Sequence, residues 1–595
     1  MRLLDGHWAP SDVTIGAMVR KSRDSPPGQG WATQGRATRG RASQGRPILA
    51  DPFYYLNNFR AVLSSLEERY GELLSTQERQ FITQFAELPK PSCALLVRMI
   101  MRHGMFFRLS RLHYPEIGDT AAAVAPLLSI GWLEEPVLQV SELHRLLTKA
   151  ELISYLALSR ELCRLNKPDL LETLRAQYQE SRPFHGWCKR SQDRVFHPIV
   201  KRLAERFRLM FFGNFHQDWT EFVLADLGIY SYETIPRSEQ SAPFRTREHI
   251  DSFLELYRGQ QELDEGAAPD EIIAGIPLPI ADSDWLDDLR QKLLFRVANA
   301  YERSENSSAA LAVFSTCRYR GSRMRTIRLL ERLHEWPAAR SLCLAARENP
   351  ENEAERQQAR RLLPRLERKL GIAGGITASN SSGVASFEVL LDTTANDRPV
   401  ECYVRDYLAR QAEAHSTVHY VENGLINSLF GLLCWKAIFA PISGAFFHDF
   451  QVGPADLESA QFYERRRAQF AECFAELESG RYKATIRQRF AAKARIQAPF
   501  LTWGLLNERL LESALLCFPA PHLQLWFEWI VRDIVENRTG FPDLVQFWPR
   551  EERYRMVEVK GPGDRLQDNQ RRFLEFCTLH HMPVSVCRVR CGSNP

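Results

Sequence analysis

Long apolar runs, paired cysteines and a strong net charge are all missing from this 595-residue chain. It has no apolar run of 18 residues and no signal peptide, so we expect neither a membrane anchor nor secretion. None of its 12 cysteines forms a Cys-x-x-Cys pair, which argues against a zinc site and a disulfide framework. Because the formal net charge is only +4, a nucleic-acid partner would have to bind a local basic patch.

Low-complexity segments mark two places where the chain is not expected to fold by itself. Residues 1–47 repeat Gly-Arg and Gln-Gly and contain few core-forming residues, which predicts a disordered tail. Residues 371–383 are rich in Gly, Ser and Ala, and we place a linker at 371–390. Between and beyond these segments, the length indicates about three to five domains.

The N-terminal part, residues 48–135, has apolar residues at helical spacing. Leu56, Phe59 and Val62 recur at three-residue intervals, and Ser75 precedes a second helical pattern as a candidate cap. The basic and apolar stretch 99–113 is compatible with a winged or helix-turn-helix unit, or with an ordinary helical core.

Residues 136–234 combine a short helical pair with a basic run. Thr148 and Glu151 predict a capping box before a Leu-Thr-Lys-Ala-Glu-Leu helix, which resembles a DNA-binding SAP module, although a purely structural helix pair has the same letters. Basic residues in and after this pair are candidate phosphate contacts, with a solvated helix face as the alternative. The predicted DNA contacts here are Lys149, Arg194 and Lys201.

Residues 235–370 contain an internal repeat. The segments 302–310 and 331–339 align at an offset of 29 residues, and both end in paired alanines. Small residues at close helix crossings favour antiparallel helix pairs of the tetratricopeptide kind. Arginines at 318, 320, 323, 325, 328 and 332 form a second candidate phosphate surface.

The C-terminal segment predicts a small sheet with acidic residues at its edge. Leu544–Trp548 and residues 554–559 have the composition of two strands of a hairpin, followed by a helix at 564–580 and a third strand at 584–589. Upstream, we predict helices at 399–412 and 422–439, and a continuous helix at 501–536.

Asp543 precedes the first strand of the hairpin. Glu558 and Lys560 lie two residues apart on the second, so their side chains leave the same face.

This set of residues suits metal-dependent phosphodiester hydrolysis. Asp543 and Glu558 offer hard oxygen ligands for Mg²⁺ or Mn²⁺, to which the backbone carbonyl of Val559 adds another. Lys560 can act on the attacking water or offset charge in the transition state. The spacing Pro-Asp-x14-Glu-x-Lys is that of the PD-(D/E)xK nucleases. The alternative is a solvated hairpin with cross-strand charges.

Longer motifs resemble one branch of that superfamily, the VRR-NUC nucleases, and more narrowly the Fanconi-associated nuclease type. They are Gly540-Phe-Pro-Asp-Leu544, Val557-Glu-Val-Lys-Gly-Pro-Gly-Asp-Arg-Leu566 and the segment starting at Glu422-Asn-Gly-Leu. The resemblance covers residues 395–590 best. It implies that Glu422 is a metal ligand, whereas position alone allows it to be a carboxylate at a helix N-terminus.

The resemblance also implies contacts with substrate. Gln570 is implied to position DNA, and Arg538 and Arg565 beside the motifs are predicted to contact phosphates. Related eukaryotic enzymes tend to carry a lysine before that glutamine, where this chain has Asn569, so the resemblance does not decide whether a dedicated pocket for a 5′ phosphate exists. Their cysteine-rich ubiquitin-binding finger is not expected, because the first cysteine here is Cys93.

Together these observations predict a mostly α-helical protein with a C-terminal α/β nuclease domain at 391–595. The resemblance implies a bacterial, structure-specific DNA nuclease with 5′-flap endonuclease and 5′-to-3′ exonuclease activity in repair, including interstrand crosslink repair. It would use one or, as we expect, two Mg²⁺ or Mn²⁺ ions. We expect a monomer on branched, nicked or crosslinked DNA, with a dimer as the alternative. We expect it in the cytoplasm at the nucleoid, or in the nucleus of a eukaryote. A Holliday-junction resolvase or restriction-like nuclease, and a catalytically silent DNA-binding scaffold, are the alternatives.

Overall fold

The computed structural model describes residues 51–226, 228, 230–236, 242–280, 282–372, 383–391, 398–411 and 416–591. The predicted tail at 1–47 and the centre of the predicted linker lie outside these residues. The predicted fold class is confirmed: the chain is mostly helical, with a mixed five-stranded sheet near its C-terminus. In the described part of the chain, no helix is both long and apolar enough to cross a membrane.

Four helices and a small antiparallel sheet form the N-terminal part. The helices are Tyr54–Tyr70, Thr76–Glu87, Lys90–Met101 and Thr120–Ser129. The strands β1 (Phe107–Arg108), β2 (Leu133–Glu134) and β5 (Val195–Pro198) pair in the order β1-β5-β2. The predicted cap at Ser75 is confirmed as a capping box with Glu78. The fully buried Glu78 also contacts Arg206 and Arg247 at 2.6 Å, so its negative charge is compensated by two arginines that join separate helices.

The segment that follows contains the predicted helix pair. Strands β3 (Val137–Leu138) and β4 (Arg182–Pro183) pair around the helices Val140–Leu146, Lys149–Leu156, Arg160–Arg164 and Lys167–Gln177. The capping box of Thr148 and Glu151 is confirmed, because each side chain bonds the backbone N–H of the other residue. The helices Phe184–Trp187, Lys201–Phe212 and Thr220–Asp226 complete this part.

The repeat segment forms a series of helices in which neighbours along the chain pack against each other. Its helices are Arg247–Asp264, Pro269–Ala274, Asp284–Arg303, Ser307–Thr316, Ser322–Arg332, Trp336–Glu348 and Glu353–Lys369. Ala310 and Ala339, which occupy equivalent repeat positions, are both fully buried. Several arginines of the second candidate phosphate surface pair with acids of neighbouring helices, as Arg332 does with Glu302 at 2.8 Å. These pairs reduce the charge that such a surface can offer to DNA.

The C-terminal part surrounds its sheet with nine α-helices among the described residues. They are Val400–Gln411, Gly424–Leu433, Trp435–Ile438, Arg467–Glu478, Tyr482–Ala492, Glu508–Cys517, Ala520–Arg532, Ile534–Asn537 and Asp568–Leu579. The predicted continuous helix at 501–536 is wrong. Asn507 caps a helix that begins only at Glu508. This helix ends before Pro519, because the residue that precedes a proline disfavours helical geometry.

The sheet has five strands in the order β6-β10-β9-β8-β7. They are β6 (Ala385–Leu391), β7 (Thr417–Tyr420), β8 (Leu544–Trp548), β9 (Arg553–Lys560) and β10 (Val584–Cys591). The predicted hairpin β8–β9 and the third strand β10 are confirmed. The edge strands β6 and β7 were not predicted, and β6 begins inside the predicted linker. Strand β10 runs parallel to both β6 and β9.

Apolar residues cover both faces of this sheet. On one face, Val557 and Val559 pack with Val404 and Leu408 of the helix Val400–Gln411. On the other, Met556 belongs to the large core of the surrounding helices. Because side chains alternate along a strand, Glu558 leaves β9 on the same face as Met556 and is buried within the protein.

Candidate active site

A backbone junction brings the distant segment before Gly424 to the start of β8. The main-chain oxygen of Asp543 accepts hydrogen bonds from the N–H groups of Val421 and Glu422, at 2.8 and 3.0 Å. Strand β7 pairs antiparallel with β8, with Tyr420 opposite Leu544. Glu422 is thereby fixed beside Asp543, although the two residues are far apart in the sequence.

Glu422 lies outside the helix in which we placed it. The helix begins at Gly424, and Glu422 has φ of +40°, in the left-handed region that a residue with a Cβ rarely adopts. The predicted helical first turn is therefore wrong: the sharp turn from β7 requires a left-handed residue there. The two hydrogen bonds to the Asp543 carbonyl hold this strained conformation.

Asp543, Glu558 and Lys560 come together as predicted. Asp543 Oδ2 accepts a hydrogen bond from the Val559 N–H at 2.8 Å, which ties the start of β8 to the end of β9. Lys560 Nζ lies 2.8 Å from Glu558 Oε1. The two carboxylates and the ammonium group therefore share one end of the β8–β9 hairpin.

Glu558 is a buried carboxylate that the protein does not satisfy. Its exposed fraction is 0%, and within the described structure neither carboxylate oxygen accepts a well-oriented hydrogen bond. The Lys560 ammonium lies at contact distance from one of these oxygens and lowers the pKa of Glu558, but this lowering does not outweigh the effect of burial. A buried anion with so little compensation is costly for the fold.

The local electrostatics oppose ionisation of both acids. Burial, and then the negative charge of Asp543, raise the pKa of Glu558 from 4.5 to about 8, against the opposing effect of Lys560. Burial also raises the pKa of Asp543 from 3.8 to about 6, although the Val559 N–H and Lys560 lower it. Because both pKa values are raised even with Lys560 present, the two carboxylates need further positive charge to be ionised together at neutral pH.

The structure does not bring all three predicted carboxylate ligands to one point. In the described ranges, no three His, Cys, Asp or Glu side chains are close enough to hold one ion. Glu422 is near enough for its charge to raise the pKa of Asp543 and Glu558, but its Oε2 accepts a hydrogen bond from the Tyr420 hydroxyl at 2.8 Å. The physical reason is that this hydrogen bond holds the Glu422 carboxylate at the edge of the site.

Two further acids near the site were not selected from the sequence. Glu401, in the first turn of the helix Val400–Gln411, adds negative charge that raises the pKa of Asp543. Asp564 accepts a hydrogen bond from the Gly561 N–H at 3.1 Å, just after Lys560. Asp564 was visible within the motif that carries the resemblance. Glu401 had no such signal, because only the tertiary fold places its helix against the sheet.

The predicted DNA contacts in the N-terminal half differ in availability. Lys149 is partly exposed at the start of its helix. Arg194 pairs with Glu135 at the surface. Lys201 donates hydrogen bonds to the carbonyl oxygens of Gly104 and Arg102, at 2.7 and 2.5 Å, and burial lowers the pKa of its ammonium group. The prediction that Lys201 contacts phosphate is at odds with this geometry, because its ammonium group already binds the backbone.

The three predicted contacts near the acids also have different surroundings. Arg565 is exposed. Arg538 lies 3.3 Å from Glu458 Oε1. Gln570 uses its side-chain oxygen to accept the Gln567 N–H at 2.9 Å, which closes a capping box at the start of the helix Asp568–Leu579. Of the three, Arg565 is therefore the most accessible to a phosphate.

Gly540 determines how the turn before Asp543 meets the helix Asp568–Leu579. Its φ is +92°, and a Cβ built on it would lie 2.7 Å from the carbonyl carbon of Asn569. We expect Gly540→Ala to lower the free energy of unfolding by about 2 to 4 kcal/mol, because it combines left-handed strain with a backbone clash. Chemical denaturation measures this change.

Gly444→Ala is the matched control. Gly444 also has a positive φ, of +74°, but nothing lies within 4 Å of its added Cβ. We expect it to cost only the backbone strain, about 1 kcal/mol. Equal losses for the two variants would contradict the packing argument for Gly540.

Family models match three segments of the chain. The model described as "FAN1, HTH domain" matches residues 53–134, and the Fanconi anemia-associated nuclease SAP domain matches residues 137–187. The VRR-NUC domain matches residues 477–591, which include Asp543, Glu558 and Lys560.

Relatives and solved structures match over most of the chain. A Fanconi-associated nuclease 1 homolog of Pseudomonas aeruginosa is 49% identical over 545 residues, which cover 91% of this chain and 97% of that protein. An Arabidopsis thaliana homolog is 23% identical over 91% of this chain and 67% of its own. A crystal structure of paFAN1 bound to 2nt 5′flap DNA with gap is 48% identical, with a TM-score of 0.88, over 92% of this chain and 100% of that one.

Proposed function

The chain belongs to the Fanconi-associated nuclease 1 family, whose members are structure-specific DNA nucleases, and from that premise we propose that it cuts one strand of branched DNA beside a 5′ flap by metal-dependent hydrolysis. The observation that carries the proposal is Glu558, a fully buried carboxylate with two unsatisfied oxygens beside Asp543 and Lys560. The similar structure bound to 5′-flap DNA supports the choice of substrate.

The donor set of the site fits a hard divalent cation. Unsatisfied buried carboxylate oxygens are suited to Mg²⁺ or Mn²⁺, which prefer oxygen ligands. Asp543, Glu558 and the carbonyl of Val559 would hold the ion, with Glu422 as a further ligand, and a second ion is part of the proposal. When bound, such an ion polarises the phosphate and makes a coordinated water more acidic.

The side chains of the protein supply the remaining requirements of hydrolysis. Lys560, whose ammonium group lies beside Glu558, donates a hydrogen bond that orients the attacking water. Its positive charge also offsets negative charge that develops on the phosphate. The Val559 N–H fixes one oxygen of Asp543, so this carboxylate does not have to reorganise during the reaction.

The N-terminal helices are proposed to hold the duplex arms of the branch. Matches to the HTH and SAP models support DNA binding by this part, and Lys149, Arg194, Arg538 and Arg565 are the proposed phosphate contacts. Such contacts make affinity fall steeply with salt. A 5′-to-3′ exonuclease activity, a role in interstrand crosslink repair, action as a monomer and a location at the bacterial nucleoid are further parts of the proposal.

One cleavage assay tests this function. End-labelled duplex DNA with a 5′ flap is incubated with the protein and Mn²⁺. We expect a cut close to the branch, complete loss of cutting when a chelator removes the ion, and recovery when excess Mn²⁺ is added. A 3′-flap substrate of the same sequence is the control.

Other outcomes of the assay identify the alternatives. Symmetric cuts across a four-way junction, without flap cutting, would identify a resolvase. Binding of flap DNA without cutting, with Mn²⁺ or Mg²⁺ present, would identify a DNA-binding scaffold. Cutting that persists in the chelator would contradict the metal-dependent mechanism.

A further inference from the structure

Tyr420 touches the candidate active site through its hydroxyl alone. The hydroxyl donates a hydrogen bond to Glu422 Oε2 at 2.8 Å, and the whole residue is 38% exposed. No ring of the described residues stacks on or packs edge-on against Tyr420. An aromatic residue with this exposure contributes little to the core. Its hydrogen bond to Glu422 is therefore the contact through which Tyr420 acts on the site.

The backbone fixes both partners of that contact. Tyr420 lies in β7 and is paired with Leu544, while Val421 and Glu422 donate their N–H groups to the Asp543 carbonyl. The left-handed φ of Glu422 turns the chain between the two side chains. Strand β7 ends at Tyr420, and the turn that follows brings the side chains of Tyr420 and Glu422 together at the edge of the site.

The two oxygens of the Glu422 carboxylate have different contacts. Tyr420 holds Oε2, whereas no hydrogen bond or ion pair of the described structure involves Oε1. A carboxylate with one oxygen held by a second residue has fewer orientations and keeps its other oxygen for a further ligand, and such supporting contacts increase the metal affinity of a site.

We propose that Tyr420 is a positioning residue that holds the Glu422 carboxylate ready to become a ligand of the ion at Asp543 and Glu558. The inference rests on the proposed function, because it assumes a divalent ion at that site. It also accounts for the position of Glu422, which this hydrogen bond holds at the edge of the site, beside Asp543.

Binding of Mn²⁺ alone, measured by isothermal titration calorimetry without DNA, tests the proposal. Tyr420→Phe keeps the ring and removes the hydroxyl, and we expect about tenfold weaker Mn²⁺ binding, the lower end of the effect of losing such a supporting contact. Tyr403→Phe is the matched control. It removes a hydroxyl that donates to the Leu390 carbonyl at 3.2 Å and not to a carboxylate of the site, so Mn²⁺ affinity should be unchanged.

Flap cleavage then separates positioning from general damage. We expect Tyr420→Phe to need about ten times more Mn²⁺ for half-maximal cutting and to recover the wild-type rate at saturating Mn²⁺. Its metal-free unfolding temperature should match that of the wild type. Equal Mn²⁺ affinity of wild type and Tyr420→Phe would overturn the inference and leave the proposed function standing. Absence of Mn²⁺ binding by the wild type would overturn both.

Discussion

Replacing Asp543 by Asn should reduce flap cleavage by about 10³-fold or more while leaving flap binding within about twofold. The amide keeps the size of the side chain, and its oxygen can still accept the Val559 N–H, so we expect the hairpin to keep its geometry. What is lost is the negative charge that holds the proposed ion. Loss of about 4 kcal/mol of transition-state stabilisation corresponds to a thousandfold in rate.

Single-turnover cleavage with saturating protein and Mn²⁺ measures this loss, and a gel-shift assay in chelator measures binding. Asp406→Asn is the control, because Asp406 lies in the same domain and pairs with Arg405 near the surface. It should cut at the wild-type rate. Substantial cleavage by Asp543→Asn would show that the reaction does not depend on this carboxylate.

Replacing Glu558 by Gln should have opposite effects on activity and on stability. Cleavage should fall by at least about 10³-fold, because the proposed ion loses its most buried ligand. Metal-free stability should rise at pH 8, by about 2 to 4 kcal/mol, since one pKa unit corresponds to about 1.4 kcal/mol and the pKa of Glu558 is raised from 4.5 to about 8. The neutral amide avoids the cost of the buried charge.

The pH dependence of this gain has a defined sign. A carboxyl group with a raised folded-state pKa binds its proton more tightly in the folded protein, so its contribution to stability is full below pH 4.5 and is lost as the pH rises through about 8. The difference in unfolding free energy between Glu558→Gln and the wild type should therefore grow from near zero at pH 4.5 to a plateau above pH 8.

Chemical denaturation in chelator at several pH values measures that difference. Glu512→Gln is the control: Arg487 lowers the pKa of this exposed carboxyl, so the substitution should give no gain in stability at pH 8. A Glu558→Gln variant that is less stable than the wild type at pH 8 would contradict the assignment of Glu558 as a buried charge that Lys560 compensates only in part.

The centre of the site could be predicted from the sequence because its signals are local. Strands β8 and β9 are short, apolar and separated by a polar turn, and Glu558 and Lys560 share a face by the alternation of a strand. The edge strands carry no comparable signal. Strand β7 has four residues, of which Thr417, Val418 and His419 are only partly buried, and β6 follows a Gly- and Ser-rich segment that favours a linker.

The parts that could not be predicted depend on tertiary contacts. The left-handed turn at Glu422 depends on two backbone N–H groups that donate hydrogen bonds to the carbonyl of Asp543. No local sequence pattern predicts this contact. Lys201 looked like a phosphate contact from the charge around it, but its ammonium group binds carbonyls of a segment about 100 residues earlier. In both cases the partner lies far away in the sequence.

The position of β10 has a consequence for how the acids are held. This strand follows β9 along the chain and lies between β6 and β9, so β9 is paired with β10 on one side and with β8 on the other. An edge strand leaves a row of backbone groups without a partner in its sheet, whereas Glu558 and Lys560 belong to an interior strand. A shift of β9 along one neighbour would break its pairing with the other, which keeps the two side chains in register with Asp543.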